Sequence, residues 1–137
     1  MPLTNTNTVA KVEPFLYPED ARSMPVRLAV STTHLKGTVL AEVTATGLFD
    51  AYASAGAGGL AVAKAILPFT VTTDASGNIF FGTAAVSRDG QSTKTVPVWI
   101  SGIFKESDLV GFDATALSTL GARRIESVSG KEVILIP

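Results

Sequence analysis

The sequence has no cysteine and a single histidine, His34. Without cysteine the chain has no disulfide, no thiolate metal site, no iron–sulfur cluster and no thiol nucleophile. One histidine is too few for a histidine-rich zinc site or for a mechanism that needs two imidazoles. These two absences remove many metal-dependent and nucleophilic mechanisms.

The chain also lacks an excess of charge and a long apolar run. Eleven Lys and Arg face twelve Asp and Glu, for a net charge of −1. No basic stripe is present to neutralise phosphates, so no nucleic-acid partner is expected. No apolar run reaches the roughly 18 residues of a membrane span, so no membrane partner is expected. The N-terminus lacks the basic and apolar regions of a secretory signal, which predicts a soluble protein made without export.

The 137 residues allow one domain, preceded by a segment of different composition. Four prolines interrupt residues 1–25, which predicts an extended or disordered N-terminal arm over residues 1–24. The arm nevertheless carries apolar residues: Val9, Val12, Phe15 and Leu16. It either packs along its own domain or adds as a strand to the sheet of a partner.

Residues 25–137 form a single β-rich domain, because short β-prone runs recur between turn signals. One short helix is predicted from Asp113, as the N-cap, to Gly121. Residues 74–78 predict a hairpin turn and residues 87–92 an exposed polar loop. The predicted strands cover residues 26–31, 38–44, 48–53, 61–67, 69–73, 79–82, 96–104 and 132–136.

Three features could belong to a catalytic or cofactor site, but none of them predicts such a site. Residues 56–61 match G-x-G-x-x-A. A dinucleotide site needs a helix after this motif, but a strand is predicted there. His34 has no serine elbow to pair with and is predicted to lie in a surface turn. Glu106, Asp108 and Asp113 are expected to be solvated or to cap the helix. We therefore expect no enzyme, with no catalytic, cofactor or metal residues.

The strand at residues 96–104 contains the only tryptophan, Trp99. Strict alternation places Pro97, Trp99, Ser101 and Ile103 on one face, and a second set on the other: Val96, Val98, Ile100 and Phe104. Both faces carry apolar side chains, so both must be covered, by the domain itself or by another subunit. Trp99 and Ile103 are the candidates for a subunit interface.

In their order along the chain, several motifs resemble the phage lambda head decoration protein family, across about residues 30–137. They are a glycine-led strand, a central strand, the tryptophan strand, an acidic segment, a helix end and a closing strand, at residues 36–40, 64–67, 98–104, 106–109, 121–124 and 133–136. The arm carries no residue-level match to the family.

The resemblance implies a mainly β, β-clip-like or small β-barrel fold with one short helix and an extended N-terminal arm. It also implies a homotrimer that decorates the outside of the expanded phage head, with the major capsid protein as partner. The arm would order against that capsid protein and stabilise the head against DNA pressure. The alternative function is a trimeric phage or bacterial adhesin, or a tail-associated binding module.

Overall fold

The computed structural model describes residues 22–81, 84–85, 87–88, 91–128 and 131–137. These residues are mainly β, as the sequence predicts, with a helix α1 (Ala114–Thr119) and a 3-10 turn at Glu106–Asp108. The strands are β1 (Arg22–Val26), β2 (Thr33–His34), β3 (Val39–Glu42), β4 (Phe49–Ala51), β5 (Ala63–Ile66), β6 (Val71–Thr73), β7 (Ile79–Phe81), β8 (Ala84–Ala85), β9 (Ser87–Arg88), β10 (Gln91–Ser92), β11 (Val96–Lys105), β12 (Arg123–Val128) and β13 (Lys131–Ile136).

The larger sheet has seven strands and curls into a half-barrel. Its order is β12-β13-β11-β5-β3-β4, and β1 pairs with β11 beside this path. All its pairings are antiparallel. The strand β11 pairs with β1 up to Ser101 and with β13 from Gly102 onward. The strand β11 therefore has three neighbours in the sheet, β1, β5 and β13.

Both faces of the large sheet are buried, which explains why its strands are apolar at successive positions. On β3, Val39 and Ala41 belong to one hydrophobic cluster and Leu40 to a second. On β5 the register shifts so that Lys64 has no opposite partner on β3. This bulge lets the apolar residues on either side of Lys64 stay buried while its ammonium reaches solvent.

The first hydrophobic cluster lies between the sheet and helix α1. Its buried members include Ile66, Phe104 and Ala116, and Leu117 and Leu120 of the helix pack against it. The predicted helix boundaries are confirmed: the Asp113 carboxylate accepts the backbone N–H of Ala116. At the other end, the N–H groups of Gly121 and Ala122 donate to the carbonyls of Ser118 and Leu117, which is a Schellman motif.

The second cluster lies between the large sheet and a smaller four-stranded sheet of order β2-β6-β7-β8. Val71 and Ile79 of the smaller sheet pack there with Leu40 and Val98 of the larger one. The predicted hairpin turn at residues 74–78 is confirmed, because it joins the antiparallel strands β6 and β7. The domain thus covers both faces of its large sheet with its own residues.

The strand β11 does not alternate strictly, so the predicted faces are wrong in one respect. Val96 and Val98 belong to the second cluster, but Phe104 belongs to the first, together with Trp99. Gly102 lies between them with φ +144°, a conformation that L side chains rarely adopt. The alternation therefore breaks between Val98 and Phe104, where the register with β1 shifts beside Ile100 and Gly102 adopts this conformation.

Other predictions differ from the structure in the position or extent of strands and loops. The predicted polar loop at residues 87–92 contains the short hairpin of β9 and β10. Three further strands were not predicted: β2 and β8 have only two residues each, and β12 carries charged residues typical of an exposed edge. The last residues of the predicted arm, 22–24, lie in β1, and residues 1–21 lie outside the described part of the chain.

We expect Gly102→Ala to destabilise the protein by about 1–3 kcal/mol, because alanine disfavours the backbone conformation that Gly102 adopts at this break. Gly121→Ala is the matched control, since Gly121 has φ +68°, in the left-handed region that alanine enters at lower cost than the φ +144° of Gly102, and a Cβ there would meet open space. Urea denaturation should show the larger loss for Gly102→Ala. A wild-type midpoint for Gly102→Ala would contradict this account of β11.

Candidate functional site

The N-terminal segment joins the domain at β1, on the side of β11. The Arg22 guanidinium donates from Nε to the Ser101 hydroxyl at 3.2 Å, and Met24 packs against the second cluster. The predicted binding residues of the arm lie before this point, outside the described residues: Val9, Val12, Phe15 and Leu16. Arg22 is the first residue of this segment whose contact with the sheet the structure describes.

Trp99 and Ile103, the candidate interface residues, are both half-buried. Trp99 packs against the first cluster of its own chain, and the register places it opposite Ile66 of β5. Ile103 belongs to neither cluster and lies opposite Leu135 of β13. Because Phe104 enters the first cluster, its neighbour Ile103 faces away from that cluster. The two candidate residues thus have different surroundings.

The carboxylates considered as an acid–base or ligand set are each committed to a structural contact. Glu106 accepts two hydrogen bonds from Arg124, at 2.9 Å from Nε and 3.0 Å from Nη2. This bidentate contact lowers the pKa of Glu106. The Arg124 guanidinium also lies 5.9 Å from the centre of the Phe112 ring. Asp108 lies 3.9 Å from the Lys105 ammonium.

Asp113 links the helix to the sheet through Tyr52. Its Oδ1 atom accepts the backbone N–H of Ala116 and the Tyr52 hydroxyl, each at 2.8 Å. The bond from Ala116, followed by that from Tyr52, lowers the pKa of the Asp113 carboxyl. Burial, followed by the neighbouring Asp113, raises the pKa of Tyr52. Asp113 therefore caps the helix as predicted and does not face an open site.

The prediction that His34 lies in a surface turn is wrong. His34 is 3% exposed, in β2, and its Nε2 lies 3.0 Å from the carbonyl oxygen of Ala29. A carbonyl only accepts, so Nε2 carries the hydrogen and donates it. The Thr73 hydroxyl donates to the same carbonyl at 2.6 Å. His34 is thus a packing residue that helps join β2 and β6 to the segment after β1.

The glycine-rich segment at residues 56–61 forms a turn between β4 and β5. The N–H of Ala53 donates to the carbonyl of Leu60 at 2.9 Å, which closes the turn. A strand, β5, follows at Ala63, so this segment presents no helix N-terminus to a pyrophosphate. The interpretation of this segment as a connection rather than a dinucleotide loop agrees with the structure.

One small cavity was missed by the sequence analysis. It opens between the segment after β1 and the β6–β7 turn, with a volume of about 170 Å³. Its lining includes Arg27, Val30, Leu48 and Lys94, which are far apart in the sequence. No local motif signals such a site, because the residues meet only through the fold.

Within the described residues, no group of three or more His, Asp and Glu side chains is placed to hold a metal ion. The helices of that part of the chain include none that is long and apolar enough to cross a membrane. Comparisons of the chain with protein-family models, with curated proteins and with solved structures found no match.

We expect His34→Ala to lower the free energy of unfolding by about 1–3 kcal/mol, through a lost buried hydrogen bond and a cavity. Thr33→Ala is the matched control, because the Thr33 side chain is next to His34 in the sequence but exposed, and its hydrogen bond with Thr72 lies at the surface. Urea denaturation followed by circular dichroism measures both. Equal midpoints for the two variants would show that His34 is not a packing residue.

The lowered pKa of Asp113 predicts that part of the stability is lost in acid. A group whose pKa is lower in the folded state stabilises it above the unfolded pKa. That contribution disappears as the pH falls through the folded value. Asp113→Asn keeps an N-cap side chain but removes the titration. We expect its urea midpoint to fall less than that of the wild type between about pH 5 and about pH 2. Parallel losses in the two proteins would contradict this assignment.

Proposed function

We propose that this protein is a capsid decoration protein of a tailed phage. In this proposal it binds the outside of the expanded head as a homotrimer, contacts the major capsid protein and stabilises the shell. The observation that carries the proposal is a mainly β domain with one short helix, the fold class that the resemblance implies. In this proposal the apolar residues of the arm bind the partner: Val9, Val12, Phe15 and Leu16.

The order of motifs that resembles the lambda head decoration family also supports this proposal. Three of the motifs fall on elements of the fold as follows: residues 98–104 lie in β11, residues 121–124 run from the turn after α1 into β12, and residues 133–136 lie in β13. The functional groups considered for catalysis are occupied by structural contacts, as at Asp113 and Glu106. A cementing protein needs surface complementarity and no catalytic group.

The trimer remains a proposal that rests on the resemblance. The two apolar faces of β11, which first indicated a second subunit, are covered within one chain by the two clusters. Trp99 is part of that covering. Ile103 remains the candidate interface residue, because it is half-buried and belongs to neither cluster. A closed ring is expected, since an open head-to-tail contact would produce fibres.

The mechanism of stabilisation would be mass action. A protein that binds the expanded lattice and not its dissociated subunits shifts the equilibrium toward the assembled shell. A trimer with three arms gains further through multivalent attachment. If each arm adds a strand to a capsid-protein sheet, backbone hydrogen bonds hold it and apolar side chains select the site.

We expect a protein that begins after residue 20 to keep its melting temperature and oligomeric state but to lose binding to expanded heads. Residues 22–26 form β1 and remain in this truncated protein, so the sheet stays intact. Light scattering and thermal melting measure the first expectation. Sedimentation with expanded heads that lack their decoration protein measures the second.

A matched pair of full-length variants separates the apolar residues from the length of the arm. Val9→Asp with Phe15→Asp and Leu16→Asp should abolish sedimentation, because burial of these side chains must offset the cost of ordering the arm, about 1–2 kcal/mol per residue. Thr4→Asp with Thr6→Asp and Asn7→Asp adds the same charge at polar positions and should bind. Unchanged binding of the truncated protein, or its failure to fold, would make the arm an intramolecular strap.

A further inference from the structure

The cavity beside the β6–β7 turn is held by backbone hydrogen bonds between separate segments. Phe49 donates its N–H to the carbonyl of Arg27, and Ala29 donates to that of Phe49, each at 2.8 Å. Ser31 donates to the carbonyl of Asp74 at 3.1 Å, and Ile79 to that of Thr93 at 3.1 Å. These bonds fix the positions of the walls before any ligand arrives, which reduces the entropy lost on binding.

The walls of this cavity are apolar, and its rim is cationic. Leu28, Val30 and Leu48 form the apolar part, and Val30 is 41% exposed. Arg27 and Lys94 supply two positive charges, and the described part of the lining contains no carboxylate. This is a local excess in a chain whose acidic residues outnumber its basic ones. Across the described residues, neither cation has an ion-pair partner.

Asp74, an acidic residue two positions before Ser76 of the lining, is held within its own turn. The Asp74 carboxylate accepts the N–H groups of Ser76 and Asn78, each at 2.9 Å, and the Asn78 side-chain amide at 3.0 Å. The bond from the Asn78 side chain, followed by the backbone bonds, lowers the pKa of Asp74. Asp74 therefore shapes the turn that carries Ser76 and Gly77 into the lining.

The volume and the chemistry of the cavity restrict its occupant. At about 170 Å³ it is smaller than the roughly 300–1,000 Å³ of a cofactor or drug pocket, and it suits one apolar side chain. Two cations are few for a nucleic-acid backbone, and no described residue of the lining offers an aromatic ring for a base to stack on. Charge complementarity requires negative groups beside the apolar one.

We propose that this cavity binds an acidic peptide segment of a partner protein. One apolar side chain of the peptide enters between Val30 and Leu48, and flanking carboxylates pair with Arg27 and Lys94. The described lining residues all lie after residue 24, and the inference does not rest on capsid decoration. It assigns the domain a binding surface of its own.

Amide chemical shifts of the full-length protein, titrated with blocked pentapeptides, test the proposal. Gly-Glu-Leu-Glu-Gly should shift the amides of Val30, Gly77 and Thr95, with a weaker effect at higher salt. Gly-Lys-Leu-Lys-Gly and Gly-Glu-Ser-Glu-Gly should leave these amides unmoved, because the first has the wrong charge and the second lacks the apolar side chain. The proposal is wrong if the acidic leucine peptide causes no shift there.

Charge-reversal variants locate the contact on the protein. Arg27→Glu and Lys94→Glu should each weaken binding of the acidic leucine peptide by roughly tenfold. Arg123→Glu changes the charge equally on exposed β12 and should bind as the wild type does. Equal weakening by all three variants would show that binding depends only on the net charge of the protein, and the proposed site would be wrong.

Two further ligands separate a peptide site from a general anion site. Inorganic phosphate and N-acetylneuraminic acid are titrated against the same amides. If either causes shifts as large as those of the acidic leucine peptide, the cavity binds a simple anion or an acidic sugar, and the proposal fails. Binding by the peptide alone supports it, whether or not the truncated protein binds phage heads.

Discussion

The fold depends on one strand that serves two hydrophobic clusters. The strand β11 gives Val96 and Val98 to the cluster under the smaller sheet, and Trp99 and Phe104 to the cluster under helix α1. The alternation breaks between Val98 and Phe104, where the register with β1 shifts and Gly102 adopts a positive φ. At the same point the partner of β11 changes from β1 to β13. One glycine thus accompanies both the redirected side chains and the curl of the sheet.

A sheet buried on both faces needs three closely spaced layers, and the composition of the chain reflects this requirement. Ala41, Ala63 and Ala65 in the central strands and Ala116 in the helix are all at most 1% exposed. Small side chains let the helix and the smaller sheet approach the strands, while residues such as Phe104 and Ile66 fill the remaining volume. A hydrogen bond from the Ala63 N–H to the Thr119 hydroxyl, 3.0 Å long, joins the helix to the sheet.

The sequence predicted what local chemistry determines and missed what depends on distant neighbours. The helix was predictable, because Asp113 and Gly121 carry their own start and stop signals, and so was the turn at Asp74. The burial of His34 was not, because its partner carbonyl at Ala29 is brought close by the packing of β2 beside the segment after β1. Phe104 was assigned to the wrong face because periodicity alone does not reveal a conformational break. The cavity at Arg27 and Lys94 was invisible for a related reason, since its lining comes from separate segments.

The same constraint that builds the core decides where recognition can occur. Because the described domain uses both faces of its large sheet internally, little broad apolar surface is left on that sheet for a partner. A partner would then bind a part of the chain that lies outside the packed layers: an appended segment, an edge strand, or a junction between loops. The proposed arm before Arg22 would be a contact of the first kind, and the cationic cavity between the segment after β1 and the β6–β7 turn is one of the third kind. Such contacts are individually small, so a protein built this way would gain strength by combining them or by repeating them over many copies.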